Sequence, residues 1–170
     1  NASAGLRQPG TRVSHVFLAD IPAYPKLLAI SDAAVNIAPD LSAKAAILQH
    51  AIDLMASIGV DLPKAAILSA VETVNPLISS SLDAAALSVM SHRGQVRGAL
   101  VDGPLAFDNA ISLKAAEVKG IASPVAGDAD ILLVPDLVSG NILAKNLEYM
   151  ADATLAGLVL GLNAPIVLPS

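Results

Sequence analysis

A chain of 170 residues in which 54% are apolar has enough material for one well-filled domain, which excludes a disordered polypeptide. Two Phe, two Tyr and no Trp leave almost nothing for base stacking, and ten Lys and Arg against fifteen Asp and Glu give a net charge of −5, which argues against nucleic acid and anionic membrane as partners. The absence of cysteine removes disulfides, thiolate nucleophiles and thiolate metal sites, and it fits a cytoplasmic location.

Residues 1–12, NASAGLRQPGTR, lack the apolar core and cleavage pattern of a signal peptide and read as a poorly structured segment. VSHVFLADI (13–21) and KLLAISDAAVNI (26–37) are strand-like, and the link Pro22-Ala23-Tyr24-Pro25 is too short for a parallel crossover, which predicts an antiparallel pair. Asp40 is placed to cap a first turn, and the following LSAKAAILQHAIDLMASIG carries apolar residues at three- and four-residue spacing, predicting an amphipathic helix closed by Gly59. KAAILSAVE (64–72) predicts a buried strand, and SSLDAAALSVMSHRG (80–94) a helix with Asp83 in its first turn, His92-Arg93 in its last and Gly94 beyond. VRGALVDG (96–103) predicts a strand, SLKAAEVKG (112–120) a short helix, ADILLVP (129–135) a strand and SGNILAKNLEYMADA (139–153) a helix. The uncharged tail 153–170 approaches the length of a membrane span, but Asn163, Pro165 and Pro169 interrupt it, so LAGLVLG and PIVLP read as two buried strands.

Aliphatic runs alternating with helices predict an α/β fold: a mostly parallel sheet with helices on both faces and an N-terminal antiparallel hairpin. Loops at the carboxyl ends of such strands build the site. Glu72, at a predicted strand end beside Asn75, serves as an acid, a ligand contact or a solvated rim group. Asp102 opens a loop that also holds Asp108 and Asn109, which either positions a ligand or bonds its own backbone to close a turn. Ser139-Gly140-Asn141 stands at a predicted helix start, where free amides and nearby Lys145 suit an anion; equally, Asp136 or Ser139 caps the helix with no ligand involved. His15, His50 and His92 lack metal-ligand spacing, and no Gly-x-Ser-x-Gly elbow, Walker loop or Gly-x-Gly-x-x-Gly fingerprint is present, so no metal site is expected and hydrolase, P-loop and Rossmann readings lose weight.

SHVFLADIPAYPKLLAISDAAVNIAPDL, AILSAVETVNP, DGPLAFDNAIS, SPVAGDADILLVPDLVSGNILAK and APIVLPS, in this order, resemble the phosphate acyltransferase family. That family comprises phosphate acetyltransferases and phosphate butyryltransferases, including the form fused to an enoyl-CoA hydratase-like region. The likeness covers essentially the whole chain, and the run Gly-Pro-Leu-Ala-Phe-Asp-Asn-Ala is especially specific. It implies reversible transfer of an acyl group between coenzyme A and inorganic phosphate, with coenzyme A as a substrate and no metal or redox cofactor. It also implies a homodimer and an isocitrate/isopropylmalate dehydrogenase-like architecture of two α/β domains around a cleft.

On this resemblance, residues 13–162 form the second domain and 163–170 a strand returning toward a first domain outside the sequence. Ser170 matches the serine of the family's Ser-Arg-x-Asp-Ser run and is the expected catalytic residue. The arginine of that run, implicated in phosphate binding, and its aspartate, proposed to deprotonate CoA, would follow Ser170. The family's other phosphate- and CoA-binding arginines are expected before Asn1, since Arg7 and Arg12 do not match them. Glu72, Asn75, Asp102, Asn141 and Lys145 are the expected substrate contacts, and the fragment alone is expected to be inactive. Two alternatives stand beside this: a dehydrogenase of the same architecture, for which the usual metal-binding His or Asp constellations are not found, and a non-catalytic dimerisation module.

Overall fold

The computed structural model describes residues 11–163 and 166–169. The elements are β1 (Ser14–Asp20), β2 (Leu28–Ser31), α1 (Leu41–Ser57), β3 (Lys64–Leu68), α2 (Ser79–His92), β4 (Leu100–Leu105), α3 (Phe107–Ile111), α4 (Leu113–Val118), β5 (Ile131–Leu133), α5 (Leu137–Met150), β6 (Thr154–Leu160) and β7 (Ile166–Pro169). One seven-stranded sheet runs β4-β3-β5-β2-β1-β6-β7. The first four of these strands are mutually parallel, while β1, β6 and β7 extend the sheet antiparallel.

Both faces of the parallel half are covered, which is why its strands read as unbroken aliphatic runs. Ala65, Ile67, Ile131 and Leu133 pack with Ile47, Leu48, Ile52 and Met55 of α1 and Leu87 of α2. Their alternates Ala66, Leu68 and Leu132 pack on the opposite face with Ala110 of α3, Ala116 of α4 and Ala144 of α5. The chain therefore crosses from β2 to β3 and from β3 to β4 on one face, and from β4 to β5 on the other.

Local chemistry fixes the element ends. Asp40 Oδ1 accepts the Ala43 N–H at 2.7 Å, a cap worth about 1 kcal/mol, and Gly59 at φ 98° ends α1 in a conformation that a side chain disfavours. At the amino ends of the parallel strands, Lys26 Nζ lies 2.7 Å from Asp128 and 2.8 Å from Asp130, and Lys64 Nζ lies 2.6 Å from Asp128. This network ties β2, β3 and the approach to β5 together on the side opposite the candidate site.

Several expectations are corrected. The antiparallel part is larger than a hairpin, because β6 pairs along the full length of β1 and β7 pairs with β6. Nor is β6 a buried run: Thr154 and Ala156 are exposed while Leu155 and Gly157 are buried, the alternation of a half-covered antiparallel strand, and Val167 of β7 is exposed. The third strand ends at Leu68, so Glu72 lies in the loop beyond it. α2 begins at Ser79, which moves Asp83 past the first turn.

β4 starts later and ends later than the sequence predicts, so Asp102 lies within the strand and not at its end. Pro104 cannot donate to a ladder, yet β4 is an edge strand and tolerates it. The register between β3 and β4 shifts between Ala66 and Leu68, which accommodates the additional residue at Gly103-Pro104. The stretch after β4 also contains the single-turn α3, too short to show helical periodicity. Among the described residues no helix is long and apolar enough to cross a membrane.

Candidate functional site

Neighbouring strands of the parallel half send their chains to opposite faces of the sheet, and the central such pair is β3 and β5. From β3 the chain leaves to α2 on one face; from adjacent β5 it leaves to α5 on the other. Such a divergence opens a crevice beyond the carboxyl ends of the strands, the usual ligand position in an α/β sheet.

A hollow of about 330 Å³ occupies this crevice, with Leu68, Ser69 and Ala70 from the β3 side and Val134 and Pro135 from the β5 side. Phe107, Ser139 and Leu143 complete much of its wall, so its surface is mainly apolar. A second hollow of about 330 Å³ shares Ser80 and Pro135 with the first and is lined by Lys44, Ser79, Asp83 and Asp136. Ser69 Oγ and Ser80 Oγ are 2.9 Å apart at the junction. The polar hollow brings a buried lysine to the start of α2, whose first turn receives no side-chain cap from Ile78. The Ser81 N–H donates to Ile78 O at 2.9 Å, but the helix start still carries positive partial charge, which with the Lys44 ammonium favours an anion, while Asp83 pairs with the lysine.

A wider hollow of about 570 Å³ lies between Arg12, Asn36 and Ser42 on the same edge of the sheet. Its wall begins at Thr11, the first described residue, whereas the crevice between β3 and β5 is formed by five separate segments of described chain. The crevice is therefore the better-defined candidate.

The predicted site residues do not converge on one point. Glu72 Oε1 accepts hydrogen bonds from Asn109 Nδ2 and from the Lys119 ammonium, and Lys119 Nζ also lies 3.5 Å from Asp108 Oδ2. The lysine's hydrogen bond chiefly holds the Glu72 carboxyl below its ordinary range, with Asn109 adding to the effect, and the same contact raises Lys119. Asn109 is fully buried, and its Oδ1 has no hydrogen-bond partner among the described residues. Asn75 instead organises its own loop: Oδ1 accepts the Leu77 N–H at 2.9 Å, and its N–H donates to Ser81 Oγ at 2.9 Å.

Asp102 Oδ1 accepts the neighbouring Gly103 N–H at 2.9 Å. Asn141 is exposed within α5, one turn inside the helix, and its Nδ2 reaches Ala33 O at 3.4 Å. Lys145 turns along its own helix to Glu148, 2.8 Å away, and lies over Tyr149 at 5.7 Å; the Glu148 hydrogen bond raises its pKa. Of the two readings of the α5 start, the cap is present: Asp136 Oδ1 accepts the Ser139 N–H at 2.8 Å and its hydroxyl at 3.0 Å. Ser170 lies outside the described residues.

Sequence reasoning missed Lys44, Ser69, Ser80 and Phe107 as lining residues. Ser80 stood at a predicted helix start and Phe107 in the most distinctive run, but neither position revealed that β3 and β5 are neighbours. Among the described residues no group of three or more His, Cys, Asp or Glu is arranged to hold a metal.

Residues 5–170 match the family described as "Phosphate acetyl/butaryl transferase". The chain is 57% identical over 169 residues to a phosphate acetyltransferase of Rhizobium meliloti, covering 99% of this chain and 53% of the relative. It is 59% identical over 167 residues to a phosphate acetyltransferase of Rickettsia prowazekii, covering 98% of this chain and 47% of the relative. It thus spans about half the length of these curated relatives. Among solved structures, a branched-chain phosphotransacylase from Enterococcus faecalis superposes with a TM-score of 0.88 at 36% identity, over 97% of this chain and 58% of that one.

Proposed function

Because the chain belongs to the phosphate acetyl/butyryl transferase family, we propose that it contributes to reversible acyl transfer between coenzyme A and inorganic phosphate. In that reaction a phosphate oxygen bonds to the thioester carbonyl carbon, the C–S bond breaks, and CoA leaves as a thiolate that takes up a proton. No electrons change hands, so the balanced step calls for no redox cofactor. It requires the thioester and phosphate to be held in line, donors for the developing oxyanion and positive groups or amides around the phosphate.

The observation that carries this reading is the pair of adjoining hollows at the β3–β5 divergence, one polar and one apolar. Lys44 and the uncapped start of α2 suit the phosphate side, and the hydroxyls of Ser69 and Ser80 stand at the junction where an acyl carbonyl would lie. The chain is read as the second α/β domain of an isocitrate/isopropylmalate dehydrogenase-like architecture, spanning residues 13–162, with 163–170 leading toward a first domain. Ser170, Glu72, Asn75, Asp102, Asn141 and Lys145 remain proposed contacts across that cleft, in a cytoplasmic homodimer. The dehydrogenase alternative is not favoured, because the relatives and the structural neighbour carry phosphate acyltransferase or phosphotransacylase names.

Calorimetry of the 170-residue chain with CoA tests the proposal. Heat of binding with CoA and none with NAD plus magnesium is expected; the reverse pattern moves the reading to the dehydrogenase class. A parallel assay for acyl phosphate should show no turnover by this chain alone, and turnover near that of the full-length Rhizobium relative would refute the division into two contributing domains.

A further inference from the structure

The apolar hollow raises a question that acyl transfer by itself leaves open, namely which part of a substrate it receives. Val134 and Leu68 are buried, Phe107 and Leu143 are half-buried, and no charged side chain lines the space. Its polar lining groups include Ser69 and Ser80 at the side shared with the Lys44 hollow, and Ser139 at the start of α5. A phosphate, a carbonyl or a pantetheine amide placed among these aliphatic walls would lose its water with few replacements. A hydrocarbon tail gains from the same transfer.

Resting on the acyltransferase reading, we propose that this hollow receives the hydrocarbon tail of a short acyl group, and that Phe107 and Leu143 are specificity-determining residues for its length. The polar and apolar hollows adjoin through Ser80 and Pro135, matching a substrate whose charged head and apolar tail are joined through a carbonyl. A volume of about 330 Å³ falls at the lower end of small-molecule sites, of order 300–1,000 Å³, which fits a chain of a few carbons. The names of the family and of the Enterococcus protein show acyl groups of different size and branching among relatives, so such a wall has a discrimination to make. Phe107 lines the hollow from the first residue of α3, and Leu143 from the second turn of α5, so both are set on helices anchored to the core.

The test follows the methyl NMR spectrum of the 170-residue chain during titration with CoA, acetyl-CoA, butyryl-CoA and hexanoyl-CoA. Butyryl-CoA is expected to shift the methyl signals of Leu68, Val134 and Leu143, which free CoA leaves in place. Affinity should rise about fourfold for each methylene from acetyl to butyryl and level off once the hollow is full. Leu143→Phe fills the space from the helix side, and Ala70→Leu fills it from an exposed position that disturbs no core packing. Either substitution should reduce the butyryl-over-acetyl gain to less than twofold.

Equal affinity for acetyl- and butyryl-CoA in the unsubstituted chain overturns the inference while leaving the acyltransferase reading in place. So does a butyryl preference that survives both substitutions. Failure of all four compounds to bind overturns the assignment of acyl-CoA contacts to this chain, and this inference with it.

Discussion

Lys44 Nζ lies 2.6 Å from Asp83 Oδ2, joining α1 to α2 across 39 positions of sequence at the wall of the polar hollow. The lysine side chain is 7% exposed and the aspartate 29%, so the two partners are unequally dependent on the pair. Asp83→Asn leaves an ammonium inside the protein without its counter-charge, whereas Lys44→Met leaves a carboxylate that water still reaches. We expect Asp83→Asn to cost about 2–3 kcal/mol and Lys44→Met about 1 kcal/mol. Urea unfolding of both variants checks the order, and equal losses would show that the pair behaves as an exposed one.

Gly103 faces the backbone of β3 at the register shift. A β-carbon there would stand 2.7 Å from Ile67 O and 2.8 Å from Ile67 Cβ, closer than either can accept without moving the strands apart. Gly103→Ala should destabilise by about 1–3 kcal/mol despite the lower entropy of alanine in the unfolded chain. Thermal unfolding measures the loss, and a variant as stable as the parent would rule out the close approach.

His15 is buried in β1, its ring edge-on to Phe17 at 4.3 Å, and its Nδ1 has no hydrogen-bond partner among the described residues. Burial lowers its pKa, and the nearby Asp32 carboxylate opposes that shift only in part. An unfolded imidazole titrates at about pH 6.5. As pH falls past that value, the unfolded chain takes up the proton first, so stability is full above it and declines toward the lowered folded value. His50, lowered by burial against Asp53, has the same sign. His15→Phe should remove part of the decline between neutral and mildly acid pH, and the His15→Phe, His50→Gln pair more of it. An unchanged pH profile in both would sink the assignment.

Tyr24 donates its hydroxyl to Ala129 O at 2.6 Å. Burial first, then the charges of Asp128 and Asp130, push its pKa up to about 12. Stability from the neutral phenol is present below about pH 10, where an unfolded tyrosine begins to ionise, and is lost as pH rises through the folded value. Alkaline absorbance titration of a Tyr149→Phe variant isolates Tyr24; a midpoint near 10 would contradict the enclosed geometry.

Asp128 is held below the usual carboxylate range, first by Lys26 and then by Lys64. Its contribution is present above about pH 4 and lost as pH falls through the lowered folded value. The network is half-exposed, so Asp128→Asn should cost at most about 1 kcal/mol at neutral pH and flatten the acid limb of the stability curve. An acid limb identical to the parent's would assign that slope to other carboxylates.

What the sequence made legible was local. Asp40, Gly59 and the short Pro22–Pro25 link acted within a few residues, so the first helix and the opening antiparallel pair were readable from their own neighbourhoods. The resemblance carried by the Gly-Pro-Leu-Ala-Phe-Asp-Asn-Ala run identified the family, and the match over residues 5–170 bears it out. The site's shape depended on strand order. β3 and β5 are separated in sequence by α2, β4, α3 and α4, yet they pair directly, and only that pairing places Ser69 beside Val134 in one wall. The predicted strand stopped at Gly103 whereas β4 continues through Pro104, because a proline is tolerated in an edge strand and strand order is not written in the local sequence. The Glu72–Asn109–Lys119 cluster was half visible: the carboxylate stood out, but its partners came from distant turns.

The irregular β4 margin has a consequence for how the molecule behaves at high concentration. Pro104 removes a donor, and the displaced register spoils the even spacing that an incoming chain would need to continue the ladder. The feature that lets Gly103 approach β3 thus also blunts one side of the sheet against runaway self-association, so its replacement by a regular strand sequence would give the sheet a new adhesive border.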